Sequence, residues 1–412
     1  MEKTRLPTNA NHKKETKVAV NTYSFFAPTR VLFGPGQLGH LHEQALPGTK
    51  ALVVISSGKS TRANGYLSRT LAELDAAGVE HVVFDGVGSN PTKEAVEAGT
   101  KVARENGCDF IVALGGGSVL DAGKVMAMFA PQPSNDLWDY AAGTTGKRKP
   151  LSKPELPWVA ITTTAGTGSE VDSAGVISKL DTHEKIGVGS ANLFATLAVV
   201  DPELMTTVPP KFTAYQGMDA LFHSLEGHIS LPTNPMADMV QLAAISSIGA
   251  YLPRAVANGS DIEARTHMAF ANTMSGYSMV VSACTSEHSM EHAMSAFHPE
   301  LPHGAGLTMI SLAYFGFWID RHVCDKRFVE MARALGKADS EKPEDFLDGL
   351  RALQEACGVA GLKMSDYGFT GTHEEALELA RTARETMGML FACDPEPTTD
   401  EDIAGIFERS YR

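Results

Sequence analysis

DFIVALGGGSVLDAGKVMAMFA, residues 109–130, carries an apolar β-type run into three consecutive glycines and then into a helical pattern. Glycines at a strand-to-helix turn let the backbone approach a phosphate closely, and the helix that follows offers free N–H groups and a favourable dipole. Gly115, Gly116, Gly117 and Ser118 are the candidate contacts, Ser118 adding a hydroxyl donor. The same glycines would also serve a plain βα turn, so this stretch alone leaves both readings open.

Working outward, ALVVIS (51–56), EHVVFDGV (80–87), WVAITTT (158–164) and LAVVDP (197–202) read as further strands. Between them LSRTLAELDAAG and TKEAVEAGTKVAREN have helical spacing and stop near Gly78 and Gly107, as helix C-termini prefer. Strand and helix in turn imply a doubly wound, mainly parallel sheet covered on both faces, over residues 21–205. Past Pro209 and Pro210 the β-type runs cease and long helical patterns take over, which predicts an all-helical domain over 206–412. Residues 1–20 are polar and mixed in charge, without the apolar core of a secretory signal, and are expected to form a flexible tail.

The chain has 412 residues, a formal net charge of -14 and 43% hydrophobic residues, enough for two domains with separate cores. That charge supplies no basic stripe for phosphates, so nucleic acid is not an expected partner. The longest uncharged run, 269–286, is interrupted by Asn272, Thr273, Ser275, Gly276 and Ser278 and reads as a buried helix, not a membrane span. Five cysteines without a CxxC spacing fit reduced thiols and a cytoplasmic protein.

Two further stretches carry chemistry. TTTAGTGSE (162–170) follows a strand and could line a polyol or nucleotide with its hydroxyls; alternatively Thr167-x-x-Glu170 is a capping box. In GMDALFHSLEGH, Asp219 and His223 stand four apart, so a helix puts carboxylate and imidazole on one face. His288 precedes His292 by four residues, and His303 follows a proline at the start of the next helical pattern. A single Asp-x3-His pair arises by chance, but several imidazoles buried without partners would be costly. Three imidazoles and a carboxylate suit Fe²⁺ or Zn²⁺.

In order and wording these motifs resemble the iron-containing (group III, metal-dependent) alcohol dehydrogenase family: GGGSxxDxxK, TTxAGTGSE, GMDAxxHxxE, HxxxH and PHG, from about Phe33 to beyond His303. The resemblance implies Asp219, His223, His288 and His303 as metal ligands, and NAD(P) between the two domains. It implies that Gly115, Gly116, Gly117, Ser118 and Asp121 lie at the pyrophosphate, and that Thr163, Thr164, Thr167 and Lys185 line the central and nicotinamide part. The implied reaction is hydride transfer between a small alcohol or aldehyde and the nicotinamide, with the ion as Lewis acid toward the substrate oxygen. His292 is the candidate proton relay, or else a group that only orients a ligand. Members of the family commonly form dimers or larger assemblies.

The chain departs from the family pattern after strand ALVVI, where many members carry an acid against the adenosine ribose. Here stands Ser56, followed by Lys59 and Arg62, which tilts the expectation toward NADP(H). Met279 and Val280 also differ from the usual residues, so substrate identity does not transfer. The rival enzymes of the same architecture, glycerol dehydrogenase-like and dehydroquinate synthase-like, use Zn²⁺ with fewer protein ligands. A nucleotide- and metal-binding protein without turnover is the rival outside enzymes.

Overall fold

A computed structural model describes residues 22–412; the tail expected over 1–20 lies outside the described residues. Its first half is built on six parallel strands. These are β1 (Arg30–Phe33), β2 (Lys50–Ser56), β3 (Glu80–Val87), β4 (Phe110–Gly115), β5 (Trp158–Thr162) and, after a separate hairpin of β6 (Ala174–Lys179) and β7 (Glu184–Gly189), β8 (Leu197–Val200). The sheet order is β1-β8-β5-β4-β2-β3. Helices α1 (Ser60–Ala63), α2 (Tyr66–Ala76), α3 (Lys93–Asn106) and α4 (Gly117–Phe129) supply crossovers.

All six residues of β4 are buried, because the sheet has a core on each face. Leu52, Val54, Ile111 and Ala113 point into one core with Leu120 and Met126 of α4. Ala51, Val53, Val112 and Leu114 point into the other with Leu67 and Leu74 of α2. This two-sided burial explains why the inner strands β2, β4, β5 and β8 read as largely apolar runs. Strand β1 and the β6–β7 hairpin are not among the expected strands: RVLF is an edge strand with no buried residue and opens on arginine, and AGVISK and EKIGVG mix glycine and lysine into a weak alternation.

The second half is helical: α5 (Pro210–Ile229), α6 (Pro235–Ala257), α7 (Ile262–Val281), α8 (Ser286–Phe297), α9 (His303–Asp320), α10 (Asp325–Ala334), α11 (Glu344–Ala356), α12 (His373–Phe391) and α13 (Asp400–Ser410). Helix α5 packs against α6, α7 and α9 and is buried nearly all round from Thr213 onward. A helix enclosed on every side needs no polar face, so the polar groups it does carry require partners inside the protein. No helix of the described residues is long and apolar enough to cross a membrane.

Glu170 joins the halves. Its fully buried carboxylate accepts hydrogen bonds from Asn272 Nδ2 and Thr273 Oγ1 of α7, each 2.8 Å long. The backbone N–H of Gly168 donates to Asn272 Oδ1 at 2.9 Å. Gly168 has φ +63°, and a Cβ there would sit 2.4 Å from Gly276 Cα, so glycine is required by both conformation and space. The capping-box reading of Thr167 and Glu170 is therefore corrected: no helix begins there, and Glu170 fastens the loop to the helical half.

Candidate active site

Three helices bring the quartet together. Asp219 and His223 lie one turn apart on α5, His288 lies in the first turn of α8, and His303 opens α9 directly after Pro302. Asp219 Oδ1 stands 3.5 Å from His223 Nδ1, 3.6 Å from His288 Nε2 and 3.5 Å from His303 Nε2. Ligands about 2.1 Å from one ion stand on the order of 3.4 Å from each other. Asp219 Oδ1, His223 Nδ1 and His288 Nε2 are buried without a hydrogen-bond partner. Each such group costs about 1–3 kcal/mol if left unpaired, and three converging on one point fit a divalent cation. Burial raises the Asp219 carboxyl, but the imidazoles of His223, His303 and His288 outweigh it and hold it at about 2. Burial, then the Lys185 charge, push His303 well below the usual imidazole range, leaving the neutral ring a metal needs.

Two carboxylates stand behind the imidazoles. Glu226, one turn beyond His223, accepts from His288 Nδ1 and from Thr285 N and Oγ1 at 2.8 and 3.0 Å. Burial pulls the His288 pKa down, yet Glu226 outweighs it and holds the ring well above the ordinary value. A carboxylate on Nδ1 fixes the tautomer and strengthens Nε2 as a ligand. Glu291 accepts from His303 Nδ1 and, at 3.2 Å, from Lys185 Nζ. Neither acid was singled out from the sequence. The signal was there: Glu226 ends the spacing His-x-x-Glu, and Glu291 directly precedes His292.

A cleft of about 490 Å³ runs from Ser56 to the quartet, reaching Asp219 and His303 at its inner end. Gly116, Gly117, Ser118, Thr164 and Thr167 line its middle. The two polar loops interlock: a Cβ on Gly116 would meet Thr164 Cγ2 at 2.9 Å, and one on Gly117 would meet Thr167 Cγ2 at 2.2 Å. The glycines thus make room for the threonine loop as well as for a ligand. Gly115 and Thr163 lie behind the wall, where Thr163 N donates to the Gly115 carbonyl at 2.9 Å. A second cavity, about 640 Å³, adjoins the cleft at Ser118, Thr167 and His303 and reaches His223, His288 and His292.

Residues 28–202 match the iron-containing alcohol dehydrogenase family, and residues 213–411 match its C-terminal domain. The chain belongs to the iron-containing alcohol dehydrogenase family. It is 37% identical to the 1,3-propanediol dehydrogenase of Klebsiella pneumoniae over 404 residues, 94% of this chain and 99% of that protein. It is 30% identical to the NAD-dependent methanol dehydrogenase of Bacillus methanolicus over 402 residues, covering 94% and 99%. Among solved structures it resembles an archaeal halo-thermophilic alcohol dehydrogenase from a Red Sea brine pool, with a TM-score of 0.89 and 32% identity over 94% of this chain and 99% of that one. The protein is an oxidoreductase acting between an alcohol and its carbonyl form with a nicotinamide cofactor; the relatives favour this over the glycerol dehydrogenase-like and dehydroquinate synthase-like readings.

Three further candidate residues, Asp121, Lys185 and His292, have definite surroundings. Asp121 accepts from Ser169 Oγ at 2.5 Å and from Val176 N at 2.9 Å, so both its oxygens tie the threonine loop and β6 to α4. Burial raises its carboxyl to about 6, against the nearby charge of Lys124. Lys185, on β7, lines the second cavity while its Nζ donates to Glu291 and, at 2.7 Å, to Ser295 Oγ. His292 is buried beside the quartet, its ring centroid 5.4 Å from that of His303, and Nδ1 lies 3.3 Å from Met387 Sδ. Burial, then Lys185 and His303, depress its pKa well below the ordinary value. His228 instead contacts Gln241 and Glu330, and His298 packs on the Phe369 ring.

Proposed function

We propose that this dehydrogenase interconverts small primary alcohols and aldehydes with apolar chains, using Fe²⁺ held by Asp219, His223, His288 and His303. The observation that carries this reading is the meeting of the cleft and the second cavity at His303, beside an oxygen faced by three imidazoles. Met279, Ala283, Met387, Met389 and Leu390 give the second cavity an apolar wall, which supports an aliphatic substrate. When bound, the ion supplies Lewis acidity toward the substrate oxygen. The chain's residues do the rest. Ser118, Thr164 and Thr167 line the cleft and would hold the cofactor there, the N-terminus of α4 offering its free N–H groups to phosphate. The apolar wall excludes water from the reacting carbon. His292, with its depressed pKa, is neutral at pH 7 and takes up the alcohol proton, or returns it in the reverse direction.

Ser56 presents no negative charge at the outer end of the cleft, and a pocket there also holds Lys59 and Arg62. Arg62 is paired with Asp85 at 2.8 Å, which reduces its attraction for a 2'-phosphate. The balance supports acceptance of NADP(H) at a level comparable to NAD(H). Strand β1, at the sheet edge, lies near exposed Phe25, Phe26 and Phe33, which supports a homo-oligomer, and the five unpaired cysteines support a cytoplasmic location.

The test is to strip the protein of metal, reload it with Fe²⁺ or Zn²⁺ separately, and follow NADH and NADPH oxidation with aldehydes of increasing chain length. The expected result is strictly metal-dependent turnover with both cofactors, within about tenfold of each other, a difference of about 1.4 kcal/mol. Turnover that ignores the metal would sink the reading.

A further inference from the structure

Cys284 lies in the short connection between α7 and α8, buried and on the wall of the second cavity. Its Sγ and one nitrogen each of His223 and His288 fall within 4.8 Å of one another. A second triad, Asp219, His288 and His303, meets the same criterion, and His288 belongs to both. His223 Nδ1 and His288 Nε2 have no hydrogen-bond partner, although both residues are at least nine-tenths buried. The remaining nitrogen of His288 is taken by Glu226, so Nε2 is the atom available to a ligand. Among the described residues, Cys108, Cys324, Cys357 and Cys393 join no such group of donors.

We propose that Cys284 is a fifth metal donor of this centre, its thiolate joining His223 and His288. This rests on the reading of the quartet as metal ligands. When the sulfur–metal bond forms, the S–H bond is lost and its proton passes to solvent, with no change in oxidation state. A thiolate is a soft donor, so it shifts the preference of an otherwise oxygen- and nitrogen-based centre toward zinc and cobalt relative to iron. The position is set by the fold: the connection places Cys284 four residues before His288, and the Glu226 carboxylate anchors the intervening Thr285 through its N–H and hydroxyl.

Cobalt reports this directly. Metal-free protein titrated with Co²⁺ is expected to show visible d–d bands together with a near-ultraviolet thiolate-to-cobalt charge-transfer band, both saturating at one equivalent. Cys284→Ser should lose the charge-transfer band and keep bound cobalt. Zinc-loaded unmutated protein, which avoids any folding defect of the variant, should show a sulfur neighbour at about 2.3 Å by X-ray absorption. Stoichiometric cobalt without the near-ultraviolet band, a band that survives in Cys284→Ser, or a zinc shell of nitrogen and oxygen only would overturn the thiolate and leave the quartet standing. Failure to bind cobalt at all would remove the quartet reading and this proposal together.

Discussion

The two halves of the molecule meet at one site but build it from different material. Along the cleft the α/β half contributes main chain and small side chains, Gly116, Gly117, Ser118, Thr164 and Thr167, none of them ionisable near neutral pH, while Lys185 of β7 brings a buried charge to Glu291 at the far end. The helical half contributes buried ionisable groups, with Asp219, His223, Glu226, His288, Glu291 and His292 all at least nine-tenths buried. The difference suits the two ligands proposed for the site. A dinucleotide must enter and leave, so loops with oriented dipoles suit it. A resident ion must stay, and only fixed charge with directed lone pairs repays its dehydration.

The comparison would break if one ligand of the helical half could be removed without consequence. His303→Ala should reduce bound metal to background and turnover to that of metal-free protein, whereas His298→Ala, whose ring packs on Phe369, should keep both. Metal analysis of the two purified variants decides, and equal metal content would refute the assignment. A smaller effect is expected one bond farther out. Glu226→Ala leaves four ligand side chains in place but frees His288 Nδ1, and metal affinity should fall about 10- to 100-fold. Glu226→Gln, which keeps an acceptor oxygen for Nδ1–H, should recover part of that loss. Competition against a chelator measures both.

The sequence disclosed the two halves unequally for the same reason. Strands buried on both faces have to be apolar runs, so β2, β4, β5 and β8 were visible, as was β3 through Val82, Val83 and Phe84. Strand β1 is as long as β8, but it lies at the sheet edge with none of its four residues buried and opens on Arg30, so it shows no such run. Asp and His four residues apart and a His directly after Pro are uncommon marks, so the proposed ligands Asp219, His223, His288 and His303 could be picked out before any coordinates. Glu226 and Glu291 escaped because acids in a helical pattern ordinarily face water; only the packing of α5, α8 and α9 shows that these are buried against imidazoles. The cap offered as one reading of Glu170 fails for a related reason: its partners, Asn272 and Thr273, lie about a hundred residues away, out of reach of local spacing. The cofactor roles expected of Lys185 and Asp121 rested only on family resemblance, since a lysine in HEKIGVGS has no local mark of burial.

The smallest expected effect tests the claim that the α/β half works through its main chain. Gly117 is the first residue of α4, and its φ does not lie in the left-handed region, so alanine is conformationally acceptable there. What forbids it is space, because the added Cβ would lie 2.2 Å from Thr167 Cγ2. Gly117→Ala should therefore push the threonine loop outward, at about 1–3 kcal/mol of overpacking, and weaken cofactor binding roughly tenfold with metal content unchanged. Thr167→Ser removes the methyl and keeps a hydroxyl, which would stand 2.8 Å from the added Cβ unless it rotates, so the double variant should regain part of the affinity. If the glycine instead serves only the approach of a phosphate, the double variant will bind the cofactor as poorly as Gly117→Ala alone. Titration of cofactor fluorescence on the four proteins of this cycle separates the two, because only direct contact between residues 117 and 167 makes their effects non-additive.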